Sequence, residues 1–308
     1  MQAAPAGKLV VVAFSGGLDS SVVLWLARQV IDPPRLRAAH ICWGPYTYPG
    51  QKEKAFAFTQ SIGVGLEILA GQDRLEKILR HGPACNRCTR QAKLGLLRSQ
   101  NPDALILTGA NQADSWGQRG QPLVAGVFAP LFHLEKNEIR ALANAAGICV
   151  QPIGENNRRE GCQAKHLLKP LAAPFFHGRA VCFANETLLA FLRQKEKNTE
   201  LANVKIVGPL RENIAVVNVR PCLLQEEKNE LALRLQDFSL AIKRLIFAAR
   251  PLRLTVLANP SLMGDAHARL AVEEGILQPS FAAPLSIQWK TSANDRLFTF
   301  HVVAVEEL

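Results

Sequence analysis

The sequence predicts an α/β chain: a parallel sheet of five or so strands with helices on both faces, followed by a smaller α+β domain. Three observations predict it. Short β-branched runs alternate with helix-like stretches through the first half, as strands linked by crossover helices require. The first strand-to-helix junction carries a glycine pair, Ser15-Gly16-Gly17. In the second half the alternation gives way to strands and helices in no fixed order.

Lys8–Phe14 is a short β-branched run and predicts the first strand; Asp19–Val30 has helical character, and Leu36–Cys42 again reads as a strand. Lys52–Ile62 is the next expected helix and Gly65–Leu69 the next strand. Arg87–Ser99 suits a helix, Ala104–Thr108 a strand, and Lys136–Ala146 a helix with Ile139, Leu142, Ala143 and Ala146 on one side. A polar, charge-mixed segment at Arg193–Glu200 then sets a domain boundary near residue 195, giving one domain over 1–195 and a second over 196–308. Within the latter, KIV (205–207), IAVVNVR (214–220), RLTVLA (253–258), LSIQW (285–289) and FTFHVVAV (298–305) read as strands, and Asp237–Ala249 as a helix.

Composition limits what these elements do. The 308 residues suffice for two domains, and 48% apolar with 20% charged residues is ordinary for a soluble globular chain. Leu9–Phe14 is too short for a signal segment and no window approaches a membrane span, so the expectation is a cytoplasmic protein without a membrane partner. The formal charge of +10 is uneven: residues 1–180 carry 21 Lys/Arg against 12 Asp/Glu, and the remainder 15 against 14. That excess favours an anionic ligand, whether a nucleotide, a phosphorylated small molecule or RNA, or simply a solvated basic surface. Seven cysteines are too few for a disulfide scaffold, which directs attention to the one Cys-x-x-Cys pair.

The junction Ala13-Phe-Ser-Gly-Gly-Leu-Asp-Ser-Ser21 is the strongest local signal. A glycine pair directly after a buried strand lets the backbone turn with positive φ and brings N–H groups to an anion, and the following helix aims its positive end there. Ser15, Ser20 and Ser21 can donate to phosphate oxygens, whereas Asp19 would repel a bare phosphate and so implies Mg²⁺ or a capping role. No Gly-Lys-Ser/Thr follows, which excludes a Walker A loop. The plainer alternative is a tight turn capped by Ser and Asp.

At these residues the chain resembles the PP-loop ATP pyrophosphatases, whose signature SGGxDS matches SGGLDS at 15–20. The resemblance implies ATP cleaved between the α- and β-phosphates to adenylate a substrate, with Mg²⁺ and with binding roles for Ser15, Gly16, Gly17, Asp19, Ser20 and Ser21. Asp19 is the residue expected to act in catalysis.

A second signal is Gly82-Pro-Ala-Cys85-Asn-Arg-Cys88-Thr-Arg90. Two thiolates at this spacing can hold a metal or cluster, and Cys162 is the candidate third ligand, leaving one iron of a [4Fe-4S] cluster open. Arg87, Arg90 and Lys93 on one side and Arg158, Arg159 and Lys165 on the other would favour thiolates. A zinc site completed by His81 or His166, and inert thiols, stay open as alternatives. With the strand ending in Thr108-Gly109-Ala-Asn111, then Asp114, Ala129-Pro-Leu131 and Lys136-Asn-Glu-Ile-Arg140, the order is similar to the ATP-dependent sacrificial sulfur transferases of the nickel-pincer cofactor pathway, and the cysteine pattern also occurs in cluster-dependent tRNA thiolases. The resemblance covers roughly residues 8–172. It implies sulfur transfer onto an anionic cofactor precursor or other small molecule, with tRNA thiolation, an amide-forming PP-loop ligase, or an RNA-gripping adaptor as alternatives; Gly109, Asn111 and Asp114 join the nucleotide site and Cys162 gives up its sulfur or joins Cys85 and Cys88. The chain departs from those transferases at GCQAKHLLKPL (161–171), at Ala113 before Asp114, and at Glu135, where a capping box has Ser or Thr.

Weaker signals complete the reading. His40, at a strand end, either touches the adenine or ribose or is a satisfied strand-end histidine. Lys165, His166 and Lys169 bind phosphate or form a solvated helix face. Trp43, Tyr46 and Tyr48 stack on a base or anchor a loop. Cys42, Cys149, Cys182 and Cys222 read as core thiols.

Overall fold

The computed structural model describes residues 7–113, 122–150, 161–236 and 242–308. The chain divides into two compact units, residues 1–72 with 88–153 and residues 73–87 with 154–308. Along the chain to residue 150 the elements are β1 (Val10–Ala13), α1 (Leu18–Val30), β2 (Leu36–Cys42), α2 (Gln51–Ser61), β3 (Gly65–Ala70), α3 (Gln72–Leu79), α4 (Cys85–Arg87), α5 (Gly95–Gln100), β4 (Leu105–Leu107), β5 (Leu123–Val124), β6 (Val127–Phe128) and α6 (Lys136–Ala145).

The first unit is an α/β layer structure on a six-stranded sheet of order β3-β2-β1-β4-β6-β5. The pairs β1–β2, β2–β3, β1–β4 and β4–β6 are parallel, and only β5 runs antiparallel, against β6. Val10, Val11 and Val12 are all fully buried, so both faces of β1 are covered, which explains an unbroken apolar run where a half-exposed strand would alternate. On one face Val10 and Val12 pack with Val22, Val23, Leu24 and Ala27 of α1 and with Ile139 and Ala143 of α6. The helix α6 opens with a capping box after all: the Glu135 carboxylate accepts from the backbone three residues on, and Glu138 accepts from the Glu135 N–H at 2.7 Å. A carboxylate replaces the hydroxyl in that role and also faces the positive end of the helix dipole.

The second unit continues with α7 (Arg179–Gln194), β7 (Leu201–Val207), β8 (Ile214–Arg220), α8 (Gln225–Gln236), β9 (Arg244–Phe247), β10 (Leu252–Ala258), α9 (Pro260–Gly264), α10 (Ala266–Val272), β11 (Leu285–Thr291) and β12 (Phe300–Glu307). It holds two three-stranded sheets, β7-β8-β9 and β11-β10-β12. One apolar cluster joins them: Val207, Val216 and Ile246 from the first pack with Leu254, Val256 and Val302 from the second. The polar segment at 193–200 lies within this unit. Its lysines are engaged with α8, Lys195 with Glu230 and Lys197 with Glu227, both at 2.7 Å.

One expected element is corrected. Residues 237–241 lie outside the described residues, but Arg244–Phe247 is a strand, paired in parallel with Ile214–Val217, where the sequence reading has a helix over Asp237–Ala249. The apolar run Leu245-Ile246-Phe247 fits either period, and pairing to β8 decides it. The helix of this region is α8, one turn of whose buried side is Leu231 and Leu235.

The loop between β7 and β8 is held by basic side chains. The Lys169 ammonium, fully buried, donates to the carbonyls of Pro209 and Glu212, both at 2.5 Å. His177 Nε2 donates to the Leu210 carbonyl at 2.9 Å while its Nδ1 accepts from the Ala173 N–H at 3.4 Å, and His301 Nε2 donates to the Gly208 carbonyl at 2.8 Å. Lys169 and His166 are thus core residues, not phosphate ligands on a solvated face.

Burial holds His177 in its neutral form, with a pKa lowered to about 4, and lowers His40, His166 and His301 in the same sense. A histidine with a depressed folded pKa takes up its proton first in the unfolded chain, so stability is lost as pH falls from the unfolded value of about 6.5 toward the folded value. For His177 alone that loss reaches about 3 kcal/mol by pH 4. Urea midpoints are therefore expected to drop steeply between pH 6.5 and 4, and His177→Gln should flatten the slope; an unchanged midpoint across that window would contradict the neutral assignment.

Candidate functional site

Strand order builds the site. From β1 the chain adds β2 and β3 on one side, then returns to place β4 against the other edge of β1, so β1 and β4 flank the position where the sheet changes its direction of growth. In open parallel sheets the crevice beyond the carboxyl ends at this point takes ligands. β1 leads there into Phe14–Gly17 and β4 into Thr108–Ala113.

The loop after β1 is locked by its own hydroxyls. Ser15 Oγ and Ser20 Oγ are 3.0 Å apart, the Ser15 N–H donates to Ser20 Oγ at 3.2 Å, the Gly17 N–H donates to Ser15 Oγ at 3.3 Å, and Ser20 Oγ donates to the Gly17 carbonyl at 2.9 Å. Gly16 has φ +81° with open space where a Cβ would stand, so the backbone angle rather than crowding calls for glycine. Gly109 is different: a Cβ there would lie 2.9 Å from Asp19 Cβ and 3.0 Å from the Ser20 nitrogen. Only glycine lets the segment after β4 approach the start of α1 this closely.

That approach brings Asn111 to Asp19. Asn111 is fully buried, and its Nδ2 donates to Asp19 Oδ2 at 3.1 Å and to the Gly109 carbonyl at 3.2 Å, while its Oδ1 accepts from the Ala113 N–H. Lys136, the first residue of α6, donates to the same Asp19 Oδ2. Its side chain lines an open cleft with Gln112, Ala113, Glu135 and Asn137. A carboxylate, an ammonium, hydroxyls and a helix N-terminus thus meet at one end of the sheet, an arrangement suited to a charged phosphate ligand. Asp114, Arg158 and Arg159 lie outside the described residues.

The strand-end residues tighten the same place. His40, in β2, uses Nδ1 on the Phe14 carbonyl at 3.0 Å, and burial lowers its pKa, with Lys52 and Lys93 adding to the effect. Gln51, the first residue of α2, donates from Nε2 to the Ser15 carbonyl at 3.3 Å. Trp43, Tyr46 and Tyr48 are buried, as loop anchors are. Ser21 is buried on α1, and its Oγ has no hydrogen-bond partner among the described residues.

The cysteines are arranged differently from the loop. Cys85 is exposed, Cys88 buried and Cys162 half-buried, and the division between the two units falls between Cys85 and Cys88. Among the described residues no group of three or more His, Cys, Asp or Glu side chains stands where it could hold a metal ion. Cys182 is a core thiol, its pKa pushed well above the ordinary thiol range by burial, with Glu186 and Cys162 adding to it, and Cys42 is half-buried; Cys149 and Cys222 are exposed, not core thiols.

Within the second unit, the segment carrying Cys85 is clasped by the turn ahead of β12. His81 Nδ1 donates to the Arg296 carbonyl at 3.0 Å, the Phe298 N–H donates to the His81 carbonyl at 2.8 Å, and the Thr299 hydroxyl donates to the Pro83 carbonyl. The Arg87 guanidinium lies 3.6 Å from the centroid of the Phe298 ring. Gly82, at φ +95°, leaves no room for a Cβ, which would meet Leu297 at 2.9 Å and the Phe300 carbonyl at 3.0 Å. After Cys85 the chain continues as a helical turn and then as a π-helical stretch over Cys88–Leu94, where the sequence reading has one regular helix.

Two residues of this candidate site escape the sequence reading. Lys136 stands in the quoted KNEIR string without a role, and its signal is position: the first residue of a helix, from which its ammonium reaches Asp19. Gln51 carries no signal in the sequence beyond following Tyr48-Pro-Gly50. Compared with protein-family models and with curated proteins, the chain matches none.

Proposed function

We propose that the chain is an ATP pyrophosphatase of the PP-loop type, which adenylates its substrate and releases pyrophosphate. The observation that supports it best is Asp19 of SGGLDS held by both Asn111 and Lys136 at the point where the sheet reverses. A strand-to-helix cap would need neither partner.

In this reading the triphosphate lies across Ser15–Ser20 with the positive end of the 13-residue helix α1 toward it. Ser15, Ser20 and Ser21 donate to phosphate oxygens, and Gly16 and Gly17 let the backbone come close. Lys136 exchanges Asp19 for the departing pyrophosphate, where its charge offsets the negative charge that accumulates as the bond to the α-phosphorus breaks. Asp19 with the loop hydroxyls is a hard oxygen donor set of the kind Mg²⁺ takes together with phosphate oxygens, so the residues fit the ion; when bound it neutralises charge on the leaving group. An acceptor oxygen attacks the α-phosphorus, and the adenylate forms.

The finer proposal is sulfur transfer to an anionic small molecule or cofactor precursor: the Cys162 thiolate displaces AMP from the activated carbon, forming a carbon–sulfur bond, and loss of the Cys162 α-proton with cleavage of its Cβ–Sγ bond then leaves the sulfur on the product and dehydroalanine at position 162. No step of this reading is routed through a cluster. The same adenylation serves tRNA thiolation or amide formation, and the products tell them apart.

The test is ATP turnover by the purified chain in Mg²⁺, followed by chromatography of the products. AMP and pyrophosphate in equal amounts are expected; ADP and phosphate, or no turnover with any acceptor tried, would sink the proposal. Iron and acid-labile sulfide on protein purified without oxygen, compared with Cys85→Ala, Cys88→Ala and Cys162→Ala, decide the cluster independently. A Cys162→Ala variant that forms product at the normal rate would favour the amide-forming ligase.

A further inference from the structure

In the second unit the buried polar groups tie two segments into one piece of surface. His177 Nε2 donates to the Leu210 carbonyl at 2.9 Å and Asn213 Nδ2 to the Phe176 carbonyl at 3.3 Å, so the helical turn Pro174–Gly178 and the loop at 208–213 are joined at two points. Lys169 fixes the same loop from beneath, through the carbonyls of Pro209 and Glu212. The inner side is therefore held, and the outer side is apolar. Phe175 is 93% exposed and Leu210 43%, and Ala172, Ala173 and Pro209 beside them are exposed as well. A single outward apolar residue needs no account, but several on two joined segments form a patch that marks a contact surface.

Charge says what the patch would meet. Residues 169–179 and 208–211 contain no Asp or Glu, and Glu212, the next residue along the loop, is paired with Lys243 at 2.6 Å. Arg179 follows Phe175 by four residues through helical backbone, which sets the two on one side, and Arg211 follows Leu210; both arginines are exposed. A protruding aromatic ring between guanidinium groups suits a polyanion that carries flat apolar groups. Single-stranded RNA is that partner: a base stacks on the ring while its phosphates meet arginine. The formal charge of +10 draws a polyanion from a distance as well. A membrane surface would call for a broader apolar face than two large side chains. We infer that the surface around Phe175 docks single-stranded RNA, with a base on the Phe175 ring and phosphates on Arg179 and Arg211. The inference does not rest on the nucleotide reading of the SGGLDS loop, and a chain without ATP turnover would leave it intact.

The experiment follows fluorescence anisotropy of a labelled oligo(A) strand of about twelve nucleotides, enough to cover one site of this kind, on the full chain at low salt. A strand of equal length with abasic sugars carries the same charge without the bases. Wild-type chain is expected to bind oligo(A) more tightly than the abasic strand. Phe175→Leu keeps an apolar side chain but removes the ring; it should weaken oligo(A) by about five- to 100-fold, the loss of one stacked base, and leave the abasic strand unchanged. Arg211→Gln should weaken both strands alike and reduce the slope of log affinity against log salt by about 0.7, one phosphate contact on a single strand. Oligo(A) affinity within twofold of wild type in Phe175→Leu would overturn the inference. So would a wild-type chain that binds neither strand, or binds both equally, and that comparison holds even if a variant fails to fold. Vesicles containing phosphatidylserine test the other partner: adsorption kept in Phe175→Leu and lost in Phe175→Ala, without oligo(A) binding, would overturn RNA in favour of a membrane.

Discussion

Asp19→Asn is expected to lower ATP-dependent pyrophosphate release by about 100- to 1,000-fold, the scale on which removing one preorganised electrostatic partner acts. The replacement keeps the shape of the side chain and leaves Asn111 an oxygen to donate to, so the loop after β1 should hold its geometry. What changes is charge: Lys136 loses the carboxylate that presents it, and a metal loses its only carboxylate among the loop residues 14–21. The ion pair is partly exposed, with 25% of the Asp19 and 42% of the Lys136 side chain accessible, and so contributes under about 1 kcal/mol to folding. Activity and stability should therefore separate. Steady-state release of pyrophosphate and thermal melting of the same preparation check this. A variant that turns over normally would remove Asp19 from the chemistry, and one that melts well below wild type would make it a structural residue.

The second large effect is on folding. Lys169→Met, which keeps length and flexibility, should destabilise the chain by about 2 to 3 kcal/mol at pH 7, read from urea midpoints. It leaves the carbonyls of Pro209 and Glu212 without their donor, at about 1 to 3 kcal/mol each. Part of that loss is offset because a charge no longer has to be buried, the cost that brings the Lys169 pKa to about 8. The sign with pH follows. The folded chain gives up the Lys169 proton near pH 8 and the unfolded chain near 10.5, so the unfolded state binds more protons between these values and wild-type stability rises with pH there. Lys169→Met should lack that rise. It should also raise the pKa of His177 and His301, since the Lys169 charge helps hold both down. A variant as stable as wild type, with unshifted histidines, would mean that the loop at 208–213 is held by other means.

How much of this was legible follows from the range of the interactions involved. The turn at Ser15–Gly17 is local: a glycine pair after a buried strand and hydroxyls within five residues of one another dictate its form, and the string SGGLDS shows both. The strands and helices of the first unit are equally local in origin, since β1 has to be apolar on both faces and α6 has to be apolar on one. Pairings across 92 and 117 residues are not local, and so Asn111 could be placed near Asp19 only through the resemblance, and Lys136 not at all. Charge misled in the same way at Lys169, where a basic residue in a mixed segment reads as solvated until its carbonyl partners from the β7–β8 loop are seen. Arg244–Phe247 was misread because three apolar residues carry no period, and the decision rests with β8.

The clasp around His81–Arg87 carries a consequence in time. His81 and its partner Arg296 are separated by 215 residues. A ribosome adding about 5 to 20 residues per second makes the first of them roughly ten to forty seconds before the second. Throughout that interval Cys85 has no Phe298 turn to sit against, and its thiol meets the cell on a free length of chain. Any partner that loads or modifies Cys85 during that interval works on a tether, and any that acts once the clasp is made meets a fixed surface.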